Sequence, residues 1–219
     1  MAQIFPKSAN NIAKISMIMA VVLGGTAFFA YTQLARSSYL TGRYLEKQQP
    51  VQFSHKHHVG DDGIDCRYCH QTVETTATAG MPSTQTCMNC HSQIWADSPY
   101  LEPVRASFRD NKPIQWEKVH DLPEYTYFNH SIHVAKGVGC STCHGAIDNM
   151  PVVFQENTLQ MEWCIACHRA PEQFIRPKSE VFNNNYQPGD IEQKDRDKLK
   201  IDYKIRSKEM MTSCSTCHR

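Results

Sequence analysis

The strongest constraint on this chain is the arrangement of its cysteines. All ten fall into five copies of one pattern, C-x-x-C-H, at Cys66/Cys69/His70, Cys87/Cys90/His91, Cys140/Cys143/His144, Cys164/Cys167/His168 and Cys214/Cys217/His218. Two thiols three residues apart share one turn of helix, where they can form thioethers to the two vinyl groups of a haem while the next imidazole binds the iron. Zinc sites also use C-x-x-C pairs, but tetrahedral zinc does not ask for a His after every second Cys. Disulfides would not impose one spacing five times over. The pattern reads as five covalently bound haem c groups, with the ten cysteines as thioether positions and His70, His91, His144, His168 and His218 as proximal ligands.

A second signal appears when the chain is laid against itself. Phe53-Ser-His55-Lys-His57-His58 precedes Cys66, and Phe128-Asn-His130-Ser-Ile-His133 precedes Cys140, so both boxes read F-x-H-x-x-H. The offset is 75 residues at the Phe, 74 at the next haem motif and 77 at the one after. This is a duplication of a two-haem unit, with a period too long for a solenoid. Each unit offers two motif histidines and two upstream ones, enough to close both faces of two irons. His55, His58, His130 and His133 are the expected distal ligands, since histidines three apart on a helical turn can diverge toward two haems. His57, opposite Ile132 in the repeat, reads as a bystander. The fifth motif has no box of its own; His120 and Met150 are the leading candidates for its distal ligand, with Met161, Met210 and Met211 behind them.

The expected organisation follows: a cytoplasmic N-terminus (1–14), a transmembrane helix (15–34), a polar tether (35–52), two-haem units at 53–115 and 116–171, and a charged tail with the fifth haem (172–219). Residues 15–34 carry no charge and lie between Lys14 and Arg36. Twenty such residues match a hydrocarbon core of about 30 Å. A cleaved secretory signal is the rival reading, but its apolar region is usually shorter and ends at a small-residue site that this run lacks. Lys7 and Lys14 face Arg36, Arg43 and Lys47 across the run, so charge does not set its direction. Attachment of haem c outside the cytoplasm does, placing the rest of the chain on the periplasmic side of a bacterial inner membrane.

Beyond the apolar run the chain is polar, and dense Pro and Gly, as at Gly80-Met-Pro82 and Gly137-Val-Gly139, predict short helices and long loops with little sheet. The fold class is a class III-like multihaem cytochrome c in which the porphyrins supply the apolar interior, so the haem-free polypeptide is not expected to fold. Trp116 and Trp163 are expected to pack on haem. From 172 to 211 the mixed charge reads as a solvated helix leading to the last motif. With 23 basic and 22 acidic side chains there is no footprint for nucleic acid.

The stretches TQTCMNCHSQIW (84–95), WEKVHDLPEYTYFNHSIHVAKGVGCSTCHG (116–145) and LQMEWCIACHRAPEQFIRP (159–177) resemble the pentahaem cytochrome c subunit (ActA type) of alternative complex III. The likeness runs in detail over about residues 53–177, and the anchor and last motif agree in placement. It implies an electron-transfer subunit of a membrane complex that oxidises menaquinol and passes electrons to a periplasmic carrier or a terminal oxidase. Its expected neighbours are an iron–sulfur protein, polytopic membrane subunits that hold the quinol site, and a monohaem cytochrome c. Two other readings stand beside it: a self-sufficient quinol dehydrogenase of the NapC/NirT kind, and a multihaem enzyme with one open iron at the fifth site.

Overall fold

The architecture is set by short helices at the cysteine pairs, in a computed structural model that describes residues 4–218. The chain divides after residue 43 into an N-terminal unit and a larger unit from Tyr44 onward.

The N-terminal unit is a long helix, α1 (Ser8–Arg36), followed by one further turn, α2 (Ser38–Thr41). Its 29 residues span about 44 Å at 1.5 Å per residue. The helix is long and apolar enough to cross a membrane, and none of its residues is buried. Its hydroxyls turn back on the helix itself: Ser16 donates to the Ala13 carbonyl, Thr26 to Val22 and Thr32 to Phe29. Polar side chains satisfied in this way can sit in apolar surroundings. The helix begins several residues before the uncharged run, because nothing between Ser8 and Lys14 breaks it.

In the larger unit, each repeat opens with its histidine box. The first box forms a π-helical turn (Lys56–Asp61), with His55 just before it; the second forms α6 (His130–Ala135). Asn129 caps α6 by accepting from the Ile132 N–H, and Ser54 Oγ does the same for His57. The first motif of each repeat is then a single turn, α3 (Cys66–Cys69) and α7 (Cys140–His144). The second motif of each repeat closes a longer helix, α4 (Thr84–His91) and α8 (Met161–Arg169). α5 (Glu102–Asp110) packs against α4, and α9 (Gln193–Asp202), α10 (Lys208–Met211) and α11 (Cys214–Cys217) complete the tail. Among the described residues strand pairing is limited to two isolated bridges, Thr126 with His218 and Val138 with Ile175. Over the described residues the molecule is helical, without a sheet.

The two repeats interlock reciprocally. Ser131 N–H donates to the Thr76 carbonyl at 3.1 Å, and Lys56 N–H donates to the Met150 carbonyl at 3.1 Å. Ser131 is the counterpart of Lys56, one box offset away, and Met150 is the counterpart of Thr76, ten residues past the opening cysteine of its motif. Each box therefore leans on the turn that follows the other repeat's first motif.

Few side chains make a conventional core. Val51, Leu101 and Val104 form one small cluster, with Cys87, Met88, Ile114 and Trp116 against it. Trp116 thus has a side-chain cluster to pack on beside the second motif. Ile175, Val181 and Tyr186 are buried in the tail segment, where a single solvated helix was expected. The helix is confined to Gln193–Asp202, since Pro177 and Pro188 interrupt the chain before it. The preceding coil turns inward around Arg176, whose guanidinium stacks on Tyr186 and donates to the Asn183 carbonyl, Ser141 Oγ and Thr142 Oγ1. Arg176 is 4% exposed and lies so close to Gly139 that a side chain there would collide with it.

Candidate haem sites

The structure brings eight of the nine predicted repeat and motif histidines into four facing pairs. His55 faces His70 with ring centres 6.4 Å apart, His58 faces His91 at 6.1 Å, His130 faces His144 at 6.4 Å and His133 faces His168 at 6.3 Å. A metal–imidazole bond is about 2 Å and a ring centre lies about 1.1 Å from its nitrogen, so two imidazoles on opposite sides of one iron stand about 6.2 Å apart. All four separations match that value. Direct stacking would be closer, as where Phe53 lies 4.4 Å from His58 and Phe128 lies 4.5 Å from His133. The Phe of each box therefore stacks on the second histidine of that box.

Hydrogen bonds fix which nitrogen each ring presents. Nδ1 donates to a backbone carbonyl in His58 (Ser54, 2.9 Å), His70 (Gly80, 2.8 Å), His91 (Ile94, 2.9 Å), His130 (Ala77, 2.9 Å), His133 (Asn129, 2.7 Å), His168 (Met211, 2.9 Å) and His218 (Tyr125, 3.1 Å). A carbonyl can only accept, so the proton sits on Nδ1 and the lone pair on Nε2 is free for a metal. His144 differs: its Nδ1 meets Nε2 of His120 at 3.2 Å. His55 Nδ1 is buried with no partner among the described residues. Burial among other rings pulls His55 down to about 4 and His144 to about 3, and lowers His133 as well, which keeps these rings in the neutral form that binds metal.

The thiols do not suit zinc or disulfides. All ten cysteines are unpaired, and among the described residues no group of three or more His, Cys, Asp or Glu side chains is arranged to hold a bare metal ion. Burial pushes the Cys143 thiol up to about 12 and Cys167 to about 11, whereas a hydrogen bond with Cys140 pulls Cys66 down to about 7. Paired thiols on one helical turn beside a facing pair of imidazoles do fit haem c.

The motifs follow one another in space in an order different from that of the sequence. Asn89 of the second motif donates to the Tyr68 hydroxyl of the first at 3.1 Å. The Cys66 and Cys140 thiols lie within hydrogen-bonding reach of each other, and both motifs rest on the same segment, with Arg67 over the Phe182 ring and Cys140 N–H donating to Val181. The third and fourth motifs share the second box through His130 and His133. The fourth meets the fifth where His168 donates to Met211 and Thr216 donates to Met210. The succession is second, first, third, fourth, fifth.

The polypeptide covers the ten thiols unequally. Cys90 and Cys214 are exposed, whereas the other eight cysteines are half-buried. Both belong to the terminal motifs of the succession, which have a neighbouring motif on one side alone, so the polypeptide leaves one thiol of each pair open to solvent.

Neither leading candidate for the fifth distal ligand is brought to His218. His120 is held against His144, ring centres 4.3 Å apart, with its Nε2 engaged by that ring. Met150, 4% exposed, is fixed beside the first box through its carbonyl, in the role Thr76 plays in the other half. His218 itself is positioned by the strand-like segment 125–127, with the Tyr125 ring 5.9 Å away. Among the described residues no second imidazole faces it. His57 points away from the pairs, toward Asp61 and Asp62. What sequence reasoning missed was the role of the carbonyls, which have no sequence signature, and His120, whose pairing with His144 depends on the fold.

Comparison with known proteins agrees with this chemistry. The family model described as cytochrome c7 and related cytochrome c matches residues 51–106 and 126–219. The chain is also 27% identical, over 175 residues covering 70% of its length and 78% of the relative's, to the menaquinone reductase multihaem cytochrome c subunit of Nitratidesulfovibrio vulgaris (strain Hildenborough).

Proposed function

The chain belongs to the family of cytochrome c7 and related cytochromes c, and from that premise we propose that it carries five haems as the electron-transfer subunit of a quinol-oxidising respiratory membrane complex of the alternative complex III type. Covalent haem c supplies one-electron cycling between ferrous and ferric iron. The chain's own residues hold the distances. The observation that carries this reading is the set of four imidazole pairs at 6.1–6.4 Å, with Nδ1 donating to a backbone carbonyl in six of the eight rings. In this assignment His55 and His70 would hold the first haem, His58 and His91 the second, His130 and His144 the third, and His133 and His168 the fourth. Closing both faces of an iron leaves it no exchangeable position, which suits relay rather than catalysis.

The menaquinone-linked relative and the N-terminal helix support placement in a membrane complex, with α1 as anchor and the haem unit on the periplasmic side. Quinol would be oxidised in a partner subunit. Purification in mild detergent tests the assignment. The expected result is a pyridine haemochrome yield of five haems per chain and co-purification of an iron–sulfur protein, polytopic membrane subunits and a monohaem cytochrome c. A colourless chain would end the haem reading, and a haem-bearing chain free of partners would end the complex.

A second reading is favoured by the relative's name: the same relay run in the opposite direction, delivering electrons toward menaquinone. The purified complex decides between them. Reduction of its haems by a menaquinol analogue supports the first direction, and menaquinone reduction driven by a periplasmic electron donor supports the second.

A further inference from the structure

The first and third haem positions are counterparts in the duplication, yet their proximal histidines are held differently. His70 donates Nδ1–H to the Gly80 carbonyl at 2.8 Å, whereas His144 Nδ1 meets His120 Nε2 at 3.2 Å, and with its own Nε2 given to iron His144 is the donor of that bond. Among the described proximal and distal histidines with a hydrogen-bonded Nδ1, His144 alone is backed by a side chain. The segment that carries His120 is tied down: Gln49 exchanges hydrogen bonds with the backbone of Glu117, accepting from its N–H at 3.1 Å and donating to its carbonyl at 3.0 Å, and Lys47 donates to the Lys118 carbonyl. The ring of His120 is therefore delivered to His144 by anchored backbone.

Chemistry makes the substitution matter. An imidazole nitrogen is a much stronger base than an amide carbonyl, so it draws the Nδ1 proton of its partner further away. A ligand imidazole that gives up more of its Nδ1 proton becomes a stronger donor through Nε2, and stronger donation favours ferric over ferrous iron. We propose that His120 is a positioning residue for the third haem, orienting His144 and lowering the reduction potential of that haem below the value its counterpart's backbone carbonyl would give. This rests on the axial assignment of His144 made above.

The test uses the full chain in its native complex, with His120→Leu, which removes the acceptor, and His120→Asn, which returns a carbonyl. The readouts are haem stoichiometry, electron paramagnetic resonance and a spectroelectrochemical titration. The expected result is five haems and unchanged low-spin ligation in both variants, with one midpoint moved upward, further in His120→Leu than in His120→Asn. Introduced into a His130→Met background, His120→Leu should move the same midpoint that His130→Met displaces. No shift in either variant overturns the proposal. So does a new high-spin haem, which would make His120 an iron ligand instead. If His120→Leu does not accumulate, the presence or absence of a shift in His120→Asn decides alone. Failure of the axial assignment would show separately, as unmodified protein lacking low-spin imidazole signals.

Discussion

At the scale of single residues, the facing histidines are oriented by what holds their Nδ1. The F-x-H-x-x-H boxes and the motif histidines were legible in the sequence because they repeat. The partner of each was not, since pairing depends on how two boxes and four motifs fold together. His120 and Met150 show the limit: a histidine or methionine outside a repeat has no periodic signal, and only the fold places one on His144 and the other beside Lys56. The same holds for exposure, since five identical motifs give no hint that Cys90 and Cys214 lie at the two ends of the row. Two predictions belong here. His133→Met exchanges an imidazole for a thioether opposite His168, and should raise one midpoint by roughly a tenth of a volt or more, within the ~0.8 V that axial ligands span; redox titration measures it. The His58 and His91 planes stand 70° apart, whereas His55 and His70 differ by 4° and His130 and His144 by 10°. Crossed ligand planes give a strongly anisotropic low-spin signal and aligned planes a rhombic one. Electron paramagnetic resonance should therefore show one anisotropic species, lost in His58→Met.

At the scale of elements, the short helices around the cysteine pairs and the absence of sheet could be read from Pro, Gly and motif spacing. The π-turn of the first box could not, because its residues carry no signal that separates it from an α-turn. Residues 172–192 do not join the solvated helix that their charge predicts, which is confined to Gln193–Asp202. Ile175, Val181 and Tyr186 follow neither a 3.6 nor a 2.0 period, so their burial depends on the coil that wraps Arg176. That coil passes close beneath the turn before the third motif. Gly137 sits there at φ +78°, and a Cβ would lie 2.5 Å from the Arg176 carbonyl. Gly137→Ala combines a left-handed strain with a backbone clash, and should cost about 1–3 kcal/mol. A thermal melt of the holoprotein followed by Soret absorbance should show a lower midpoint. An unchanged melt would mean that this contact does not bear on stability.

At the scale of the whole molecule, the side chains bury too little apolar surface to order a polar chain, and of the eight buried hydrophobics among the described residues only Val51, Leu101 and Val104 cluster together. The chain produced without haem attachment should therefore show no cooperative thermal transition by circular dichroism and should be digested rapidly by protease, whereas the holoprotein resists. A cooperative melt of haem-free chain would contradict that account. The apolar helix was plain in composition, and its membrane role can be tested by alkaline carbonate extraction, which should leave the chain in the pellet.

The reciprocal bonds between Ser131 and Thr76 and between Lys56 and Met150, with Cys66 beside its own counterpart Cys140, are the contacts of a homodimer about a twofold axis, here joined into one polypeptide. A symmetric pair has two equivalent ends and no preferred sense. The last motif, appended beside only one of those ends, removes the equivalence, so that a donor and an acceptor approaching from opposite sides meet different surfaces.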